Sequence, residues 1–254
     1  MTTIEIKSPL ALVAGNGSLP LEVSRAAQKL GIQLVIIAHQ GESSPELAQY
    51  GATTWIKLGQ LGKIIKTLKR AKVSQVIFAG GISRVRLFGG NAVRPDLRAM
   101  KLLARLRSIK DDLLLRGIAS ELEGEGLAVI SPAALLTECV PVPGILTARV
   151  PAQAELSDAL LGWQVAKLIG TAEVGQTVVI SKGVVVAVEA AEGTDAAILR
   201  GGQLARGETV VVKVAKPQQD LRLDLPTIGT KTIETLKAAG ARVLVLEAGK
   251  CLIV

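Results

Sequence analysis

Residues 10–20 read LALVAGNGSLP, and this stretch decides the fold. Its five leading apolar residues predict a buried strand, Gly15-Asn16-Gly17 predicts a tight turn, and Pro20 suits the first turn of a helix. Helical spacing over residues 21–30 ends at Gly31, and the apolar run 32–38 follows. We therefore interpret this part of the chain as a strand, a turn, a helix and a second strand, the repeating unit of a parallel sheet.

A second unit of the same kind follows. Residues 73–79 form an apolar run that ends at Gly80-Gly81. Helical patterns then cover about 96–110 and 111–123, before the apolar residues 127–130. This alternation of strands and helices predicts a parallel α/β fold for the first half of the chain.

Proline and glycine are concentrated in the middle of the chain, at Pro132, Pro141, Pro143, Gly144 and Pro151. Such density suits a connection between domains. We predict a first domain over residues 1–135, a linker over 136–150 and a second domain over 151–254. In the second domain, helical patterns mix with β-branched runs at 177–181 and 184–189. They predict a mixed α/β domain with an antiparallel hairpin.

The composition excludes several classes of protein. The chain has 254 residues, of which 49% are hydrophobic, and only two cysteines, which lie far apart. A disulfide framework and a zinc ribbon are therefore excluded, and the single histidine, His39, excludes multi-histidine metal sites. Because no apolar run approaches about 18 residues and the N-terminus lacks the pattern of a cleavable signal, we expect a cytoplasmic protein.

The net charge of +8 is concentrated in residues 84–110, where basic residues far outnumber the single acidic one. Aromatic residues make up only 2% of the chain, so base-stacking surfaces are scarce and we expect no nucleic acid partner. Arg98, Lys101 and Arg105 lie on one side of a predicted helix. Its apolar side chains are Leu97, Met100, Leu103 and Leu106. This pattern is typical of an ordinary surface helix, or of a basic amphipathic element on an anionic membrane surface.

Two glycine-rich turns follow predicted strands, Gly15-Asn16-Gly17 and Gly80-Gly81-Ile82-Ser83-Arg84. Backbone N–H groups in such turns receive phosphate, and an arginine can reach it. The dinucleotide fingerprint is incomplete, because Pro20 replaces its third glycine and the nearest acidic residue after the second strand is Glu42. We interpret the turns as a nucleotide or nucleotide-sugar site, with a bare βα turn and NAD binding as alternatives.

The stretch DLRLDLP, which begins at Asp220, alternates charged residues with leucine. In an extended backbone, Asp220, Arg222 and Asp224 project from one face and the leucines from the other. Taken alone, the pattern is typical of an edge strand with an ion pair. Lys213 and Lys216 lie just upstream and favour a charged functional loop instead.

Another acidic stretch, Glu192-Gly193-Thr194-Asp195, lies between a predicted strand and a predicted helix. Thr194 or Asp195 suits the N-cap of that helix. Capping does not explain why Glu189 and Glu192 also lie in the short segment before that helix. Because Mg²⁺ takes one or two carboxylates together with substrate oxygens, these acidic residues are candidates for holding a metal or positioning water.

Several short motifs follow one another along the chain. They are Gly15-Asn16-Gly17 with Leu19-Pro20, Gly80-Gly81-Ile82-Ser83-Arg84, Asp111-Asp112-Leu-Leu-Leu-Arg116, Val174-Gly175-Gln176, Ala187-Val-Glu189 with Glu192-Gly193-Thr194-Asp195, and Lys216-Pro217 through DLRLDLPTIG at 220–229. Together they resemble the UDP-2,3-diacylglucosamine pyrophosphatase family of the LpxI type over essentially the whole chain. The departures are Glu173, Val85 and Gln218, where the family pattern has aspartate, proline and glycine.

The resemblance implies an enzyme with an N-terminal Rossmann-like parallel α/β domain and a C-terminal mixed α/β catalytic domain, which binds a lipid-linked UDP-sugar between them. It implies Mg²⁺-dependent hydrolysis of the pyrophosphate of UDP-2,3-diacylglucosamine to UMP and 2,3-diacylglucosamine 1-phosphate (lipid X) in lipid A biosynthesis. It also implies a cytoplasmic protein peripheral to the inner membrane, and it allows a homodimer.

The resemblance assigns roles to residues of this chain. It implies that Asp224 is catalytic. For the mechanism we expect Asp224 and Asp195 to hold the Mg²⁺ ion. The residues that we expect to bind the substrate are Gly15, Asn16, Gly17, Gly80, Gly81, Ile82, Ser83, Arg84, Gln176, Thr194, Lys213, Lys216 and Arg222. Two alternatives from other classes stay open, a non-catalytic nucleotide-sugar or lipid-binding protein and an NAD(P)-binding Rossmann oxidoreductase.

Overall fold

The computed structural model describes residues 5–82, 93–106 and 111–254. The chain divides into two compact units. Unit 1 comprises Met1–Thr137 together with Asp220–Asp224, and unit 2 comprises Glu138–Gln219 and Leu225–Val254. The short segment Asp220–Asp224 therefore belongs to unit 1, although it is far along the sequence from the rest of that unit.

Unit 1 contains a five-stranded parallel sheet in the order β3-β2-β1-β4-β5. Its strands are β1 (Leu10–Ala14), β2 (Leu34–His39), β3 (Gly51–Ile56), β4 (Gln75–Ala79) and β5 (Ala128–Ile130). Every residue of β1 and β2 is buried, the pattern of a parallel sheet covered on both faces. The predicted parallel α/β fold is confirmed.

Helices connect these strands. They are α1 (Leu19–Lys29), α2 (Leu61–Arg70), α3 (Leu97–Arg105) and α4 (Asp111–Glu123), with short 3₁₀ turns at Pro45–Gln49 and Pro132–Ala134. In α2, Leu61, Ile64, Ile65 and Leu68 are buried at helical spacing against the sheet. Leu223, from the segment that returns from the second half of the sequence, lies in the same core.

Unit 2 contains a four-stranded mixed sheet in the order β10-β8-β6-β7. Its strands are β6 (Thr177–Ser181), β7 (Val184–Val188), β8 (Thr209–Lys213) and β10 (Ala241–Leu246). Strand β6 is antiparallel to both β7 and β8, and β8 is parallel to β10. The predicted hairpin is confirmed as β6 and β7. A separate parallel pair joins β9 (Thr227–Ile228) to β11 (Leu252–Ile253).

Two helices of unit 2 pack closely on its main sheet. Helix α5 (Gln153–Thr171) contacts it through Gly162, where a Cβ would lie 2.2 Å from Ile180, and α6 (Thr194–Ala205) through Gly201, 2.6 Å from Val179. Neighbouring residues of β6 point to opposite faces, so these helices cover opposite faces of the sheet. A third helix, α7, spans Thr230–Ala238. Among the helices in the described ranges, none has the length and apolar character to cross a bilayer.

Strand directions bring four polar residues of unit 2 to one edge of the main sheet. Because β6 runs opposite to its neighbours, its first residues lie beside the last residues of β7 and β8. Gln176 precedes β6, Glu189 follows β7, Lys213 ends β8 and Glu247 follows β10. This edge is where the candidate site of unit 2 lies.

Candidate functional site

The two glycine-rich turns of unit 1 contact each other through their backbones. The Asn16 N–H donates to the Gly81 carbonyl at 2.8 Å, and Gly15 N–H donates to Ala79 O at the same distance. A Cβ on Gly15 would lie 2.2 Å from Gly81 O, and one on Gly80 would lie 2.2 Å from Asn16 O. Glycine is therefore required at positions 15 and 80 by contact between the turns.

The turns lie where the strand order reverses between β1 and β4, the usual ligand position in an open parallel sheet. Gly17 has a φ of +86°, and a Cβ built there would meet nothing within 4 Å. The N–H groups of Gly17, Ser18 and Leu19 donate no hydrogen bond in the described part of the chain. Free donors at a helix N-terminus suit an anion, so this turn fits the predicted phosphate site. Ile82 follows the second turn, whereas the predicted residues Ser83 and Arg84 lie outside the described residues.

The loop after β2 folds over the end of β1. Nδ1 of His39 faces the Ala14 carbonyl at 2.9 Å, and Ser43 Oγ donates to the same carbonyl at 2.8 Å. Because a carbonyl oxygen only accepts, Nδ1 carries the proton. Burial lowers the pKa of His39, despite its hydrogen bond to Ala14 and the nearby charge of Glu42, so the ring is neutral near pH 7. Nδ2 of Asn16 donates to Glu42 Oε2 at 2.7 Å, which holds that carboxylate at the first turn.

In unit 2, three predicted substrate-binding residues meet around Glu189. The Thr194 hydroxyl donates to Glu189 Oε1 at 2.9 Å and accepts from Lys213 Nζ at 3.2 Å. The Gln176 backbone N–H donates to Glu189 Oε2 at 3.3 Å. Lys213 Nζ also donates to Thr227 O at 3.1 Å. We call Gln176, Glu189, Thr194 and Lys213 the polar edge of unit 2.

The polar edge holds a buried positive charge. Lys213 is only 6% exposed, and its ammonium is fixed by the Thr194 hydroxyl and the Thr227 carbonyl. A charge in such surroundings is weakly screened by water, so it interacts strongly with a phosphate that reaches it. The prediction that Thr194 or Asp195 is an N-cap is wrong, because Gly193, with a φ of +86°, occupies that position. Thr194 is thereby available to orient Lys213.

The other predicted residues of unit 2 lie near this edge in sequence but have their own partners. Asp195 accepts a hydrogen bond from Thr232 Oγ1 at 3.2 Å and lies 3.5 Å from Lys231 Nζ. Its side chain is 30% exposed, and its carboxylate oxygens are the donors that Mg²⁺ prefers. The Lys216 N–H donates to the Gln219 side chain at 2.9 Å. Within the described ranges, no three His, Cys, Asp or Glu side chains form a metal-binding group.

The segment Asp220–Asp224 is a turn, so the prediction of an extended strand is wrong. Backbone N–H groups of Leu223 and Asp224 both donate to Asp220 O, and the Arg222 N–H donates to Asp220 Oδ1 at 3.1 Å. The Asp220 side chain thus closes the backbone on itself, which competes with an extended conformation. Leu223 enters the core of unit 1, and Asp224, at the end of the turn, is half-buried.

Arg222 is held by two carboxylates of unit 1. Its Nη1 lies 2.7 Å from Glu123 Oε1, and its Nη2 lies 2.7 Å from Asp220 Oδ2. The hydrogen bond with Arg222 lowers the pKa of Asp220, and the carboxylates raise the pKa of Arg222. Sequence analysis did not find Glu123, because 99 residues separate it from Arg222 and no pattern links them.

Sequence analysis also did not identify Lys167, a second lysine at the edge of the unit 2 sheet. Nζ of Lys167, on α5, donates to Glu247 Oε2 at 2.6 Å and to Ala215 O at 2.8 Å. Burial favours a raised pKa for Glu247, but hydrogen bonds from Lys167 and Lys250 outweigh it and lower the pKa. Sequence analysis could have found this pair from Glu247, because a charged residue at the end of an apolar strand was also the signal that identified Lys213.

Family models account for almost the whole chain. The LpxI N-terminal domain matches residues 9–139, and the LpxI C-terminal domain matches residues 142–254. The chain belongs to the LpxI family. Among its relatives, the UDP-2,3-diacylglucosamine pyrophosphatase LpxI of Caulobacter vibrioides (strain ATCC 19089 / CIP 103742 / CB 15) is 35% identical, and the alignment spans 96% of this chain and 90% of that protein. The LpxI-type resemblance is confirmed.

Two solved structures that match this LpxI-family chain are distant from it in sequence. The complex of leucoanthocyanidin reductase with NADPH from Vitis vinifera is 18% identical with a TM-score of 0.28, over 46% of this chain and 47% of that one. N5-carboxyaminoimidazole ribonucleotide synthetase from Thermus thermophilus is 14% identical with a TM-score of 0.28, over 70% and 41%. The chain matches less than half the length of either protein, and likeness at these scores carries no functional argument.

Proposed function

We propose that this protein hydrolyses the pyrophosphate bond of UDP-2,3-diacylglucosamine, giving UMP and 2,3-diacylglucosamine 1-phosphate, as a step of lipid A biosynthesis. The observation that carries the proposal is the 35% identity to the Caulobacter vibrioides pyrophosphatase over 96% of the chain. Two features of the described residues suit a diphosphate. They are the open N–H groups at the start of α1 and the buried Lys213 at the polar edge of unit 2.

Lys213 has the surroundings to stabilise charge in the reaction. When water adds to phosphorus and the bridging oxygen leaves, negative charge grows on phosphate oxygens. An ammonium already fixed by Thr194 and Thr227 stabilises that charge without having to reorient. Lys216 and Arg222 are proposed to add positive charge. For Arg222 this requires an exchange of one of its present carboxylate partners.

Asp224 is proposed as the catalytic residue, with Asp224 and Asp195 as ligands of Mg²⁺. Their carboxylate oxygens fit the ion by donor chemistry. When bound, Mg²⁺ supplies positive charge that polarises phosphate oxygens. The role proposed for the chain itself is that the Asp224 carboxylate orients the attacking water and accepts its proton.

Helix α3 is proposed to bring the protein to an anionic membrane surface, which would place it next to a lipid-linked substrate. Leu97 and Met100 on this helix are exposed, at 78% and 55%, beside the exposed Lys101. Apolar side chains next to a cation suit the headgroup region of a bilayer. A homodimer stays a prediction.

The test is a direct assay of UDP-2,3-diacylglucosamine hydrolysis by the purified protein. We expect UMP and 2,3-diacylglucosamine 1-phosphate in equal amounts with Mg²⁺, and neither after chelation of the metal. Substrate binding without UMP release would instead support a non-catalytic binding protein. Saturable NADH binding without hydrolysis would support the oxidoreductase alternative.

A further inference from the structure

We infer that Lys167 and Glu247 are positioning residues, which fix the main chain that carries Lys216 in the place where this cation stabilises charge on the phosphate. The inference rests on the proposed function, which supplies the role of Lys216. It starts from Ala215, the residue before Lys216, because these two side chains hold both polar groups of its backbone.

Ala215 lies just beyond the end of the sheet of unit 2. Strand β8 ends at Lys213, which is paired with Leu246, the last residue of β10. Ala215 is only 2% exposed, so its N–H and C=O need partners within the protein. The N–H donates to Glu247 Oε2 at 3.0 Å, and the C=O accepts from Lys167 Nζ at 2.8 Å. Two side chains therefore replace the hydrogen bonds that a longer strand would have made.

The two side chains also hold each other. Lys167 Nζ donates to the same oxygen of Glu247 at 2.6 Å and lies 5.4 Å from the centre of the Trp163 ring. The other oxygen of Glu247 lies 2.9 Å from Lys250 Nζ. We call Lys167, Glu247 and Ala215 the clamp. Its ion pair is largely removed from water, and because such a pair loses hydration it is weak evidence for stability. What the pair adds is a fixed direction for the backbone groups that it binds.

Helix α5, which carries the lysine of the clamp, also contacts the residues that follow. A Cβ on Gly170 would lie 3.3 Å from Cα of Lys216 and 3.3 Å from Cδ of Pro217. The Gln218 side chain donates to the Gly170 carbonyl at 3.0 Å. The end of α5 therefore contacts this stretch of main chain at successive residues, and the clamp is the charged part of that contact.

Lys213 and Lys216 depend on the clamp to different degrees. Lys213 ends a strand, and its ammonium is fixed directly by Thr194 and Thr227. Lys216 lies outside the strand, directly after Ala215, so a shift of the main chain at Ala215 is expected to displace it first. Stabilisation of a transition state depends on charges that are already in place, so this displacement lowers kcat.

The first experiment compares Lys167→Met with Lys167→Arg in the hydrolysis assay. Methionine keeps an apolar side chain on Trp163 but releases Ala215 and Glu247, so we expect kcat to fall about tenfold. Arginine keeps the positive charge and the N–H donors, so it is expected to retain most of the activity. An unchanged kcat in Lys167→Met would overturn the inference.

A double-mutant cycle separates positioning from stability. In a Lys216→Met background the cation is already absent, so we expect Lys167→Met to lower kcat by about twofold or less. A loss of stability alone would lower activity by the same factor in both backgrounds. Additive effects would therefore overturn the inference. Melting temperatures show whether each protein is folded at the temperature of the assay.

Glu247→Gln is the second variant, which keeps the test open if Lys167→Met does not fold. It keeps the shape of the side chain and an oxygen for the Ala215 N–H but removes the charge that holds Lys167. We expect kcat to be about three- to fivefold lower, and to change little in the Lys216→Met background. Glu208→Gln, at a carboxylate that is 63% exposed, is the matched control. A folded Glu247→Gln protein with the activity of this control would contradict the inference.

The clamp and the proposed function can fail separately. Binding of UDP, a diphosphate that tests the site without turnover, is measured by titration calorimetry on the four proteins of the cycle. We expect Lys167→Met to weaken UDP binding about threefold, but not in the Lys216→Met background. This pattern without UMP release from the lipid substrate would refute only the proposed function. UMP release with additive effects of the two substitutions would refute only the clamp.

Discussion

Thr194 is the residue whose hydroxyl joins the acidic and basic members of the polar edge, donating to Glu189 and accepting from Lys213. Thr194→Val keeps the shape but leaves both charged groups without that partner, so we expect a loss of about 1–3 kcal/mol in the free energy of unfolding and a lower kcat. Thr194→Ser keeps the hydroxyl and is the matched control. Urea denaturation measures the change in stability, and UMP release measures the change in kcat. Equal values for Thr194→Val and Thr194→Ser would mean that the Thr194 hydroxyl has no role in the site.

Asp220 and Asp224 lie one turn apart and are expected to respond differently to the same change. Asp224→Asn removes the charge that a metal ligand or base needs, so we expect kcat to fall about a hundredfold or more with little change in Tm. Asp220→Asn weakens the partly exposed ion pair with Arg222, which is worth up to about 1 kcal/mol. Its main effect is expected on Tm. Near-wild-type turnover of Asp224→Asn would refute its catalytic role.

At the scale of elements, the contact between the glycine-rich turns can be separated from the cost of backbone conformation. Gly80 and Gly126 have similar φ values, +82° and +80°, but a Cβ on Gly126 would meet nothing within 4 Å. We expect Gly126→Ala to cost about 1–2 kcal/mol for its left-handed backbone. Gly80→Ala should cost about 1–3 kcal/mol more, because its Cβ would overlap Asn16 O. Thermal or urea unfolding gives both values. Equal losses of stability in the two variants would mean that the two turns move apart to accommodate the added Cβ.

The elements that sequence analysis predicted have a local pattern, although helix α2, whose apolar residues also have helical spacing, was missed. Strand β1, the following turn and α1 each have their own signal in consecutive residues, as does the β6–β7 hairpin. Strand β3 and helix α2 were not identified. Three residues of β3 are polar or glycine (Gly51, Thr53 and Thr54), a weak strand signal even though the strand pairs with β2 along its whole length.

Individual residues of the candidate site were predicted from the sequence, but the contacts between them were not. Gln176, Thr194 and Lys213 were predicted, yet their meeting at Glu189 depends on the antiparallel direction of β6, which brings distant residues to one edge. The prediction of an extended strand at Asp220–Asp224 was wrong because it, too, took no account of hydrogen bonds. Alternation of leucine with charge was interpreted as a strand, whereas Asp220 bonds to the backbone of Arg222 and closes a turn.

At the scale of the whole molecule, membrane association depends on which charges of α3 are available. Arg98 pairs with Glu121 at 2.8 Å and with Glu125 at 2.7 Å, and Arg105 lies 3.4 Å from Glu121. Lys101 makes no ion pair among the described residues. The cation next to the exposed Leu97 is therefore the one expected to meet an anionic surface.

We expect Lys101→Glu to weaken binding to anionic vesicles by about fivefold per unit of charge at low salt, and by less as salt rises. Lys29→Glu, in the last turn of α1, changes the net charge of the protein equally and serves as the control. Cosedimentation with vesicles measures both variants. Equal weakening by the two substitutions would mean that net charge, and not α3, governs the association.

The return of Asp220–Asp224 to unit 1 also determines how the protein responds to cleavage. The chain passes from unit 1 to unit 2 after Thr137, returns after Gln219 and leaves again after Asp224. A protease that cuts between residues 140 and 150 therefore produces an N-terminal fragment that lacks part of its own unit. That part, on the other fragment, is anchored by Leu223 in the core, by the Ser131 hydroxyl on Leu221 O, and by Arg222 on Glu123. The nicked protein should consequently elute as a single particle, and its two halves, made separately, form a natural pair for split-protein complementation.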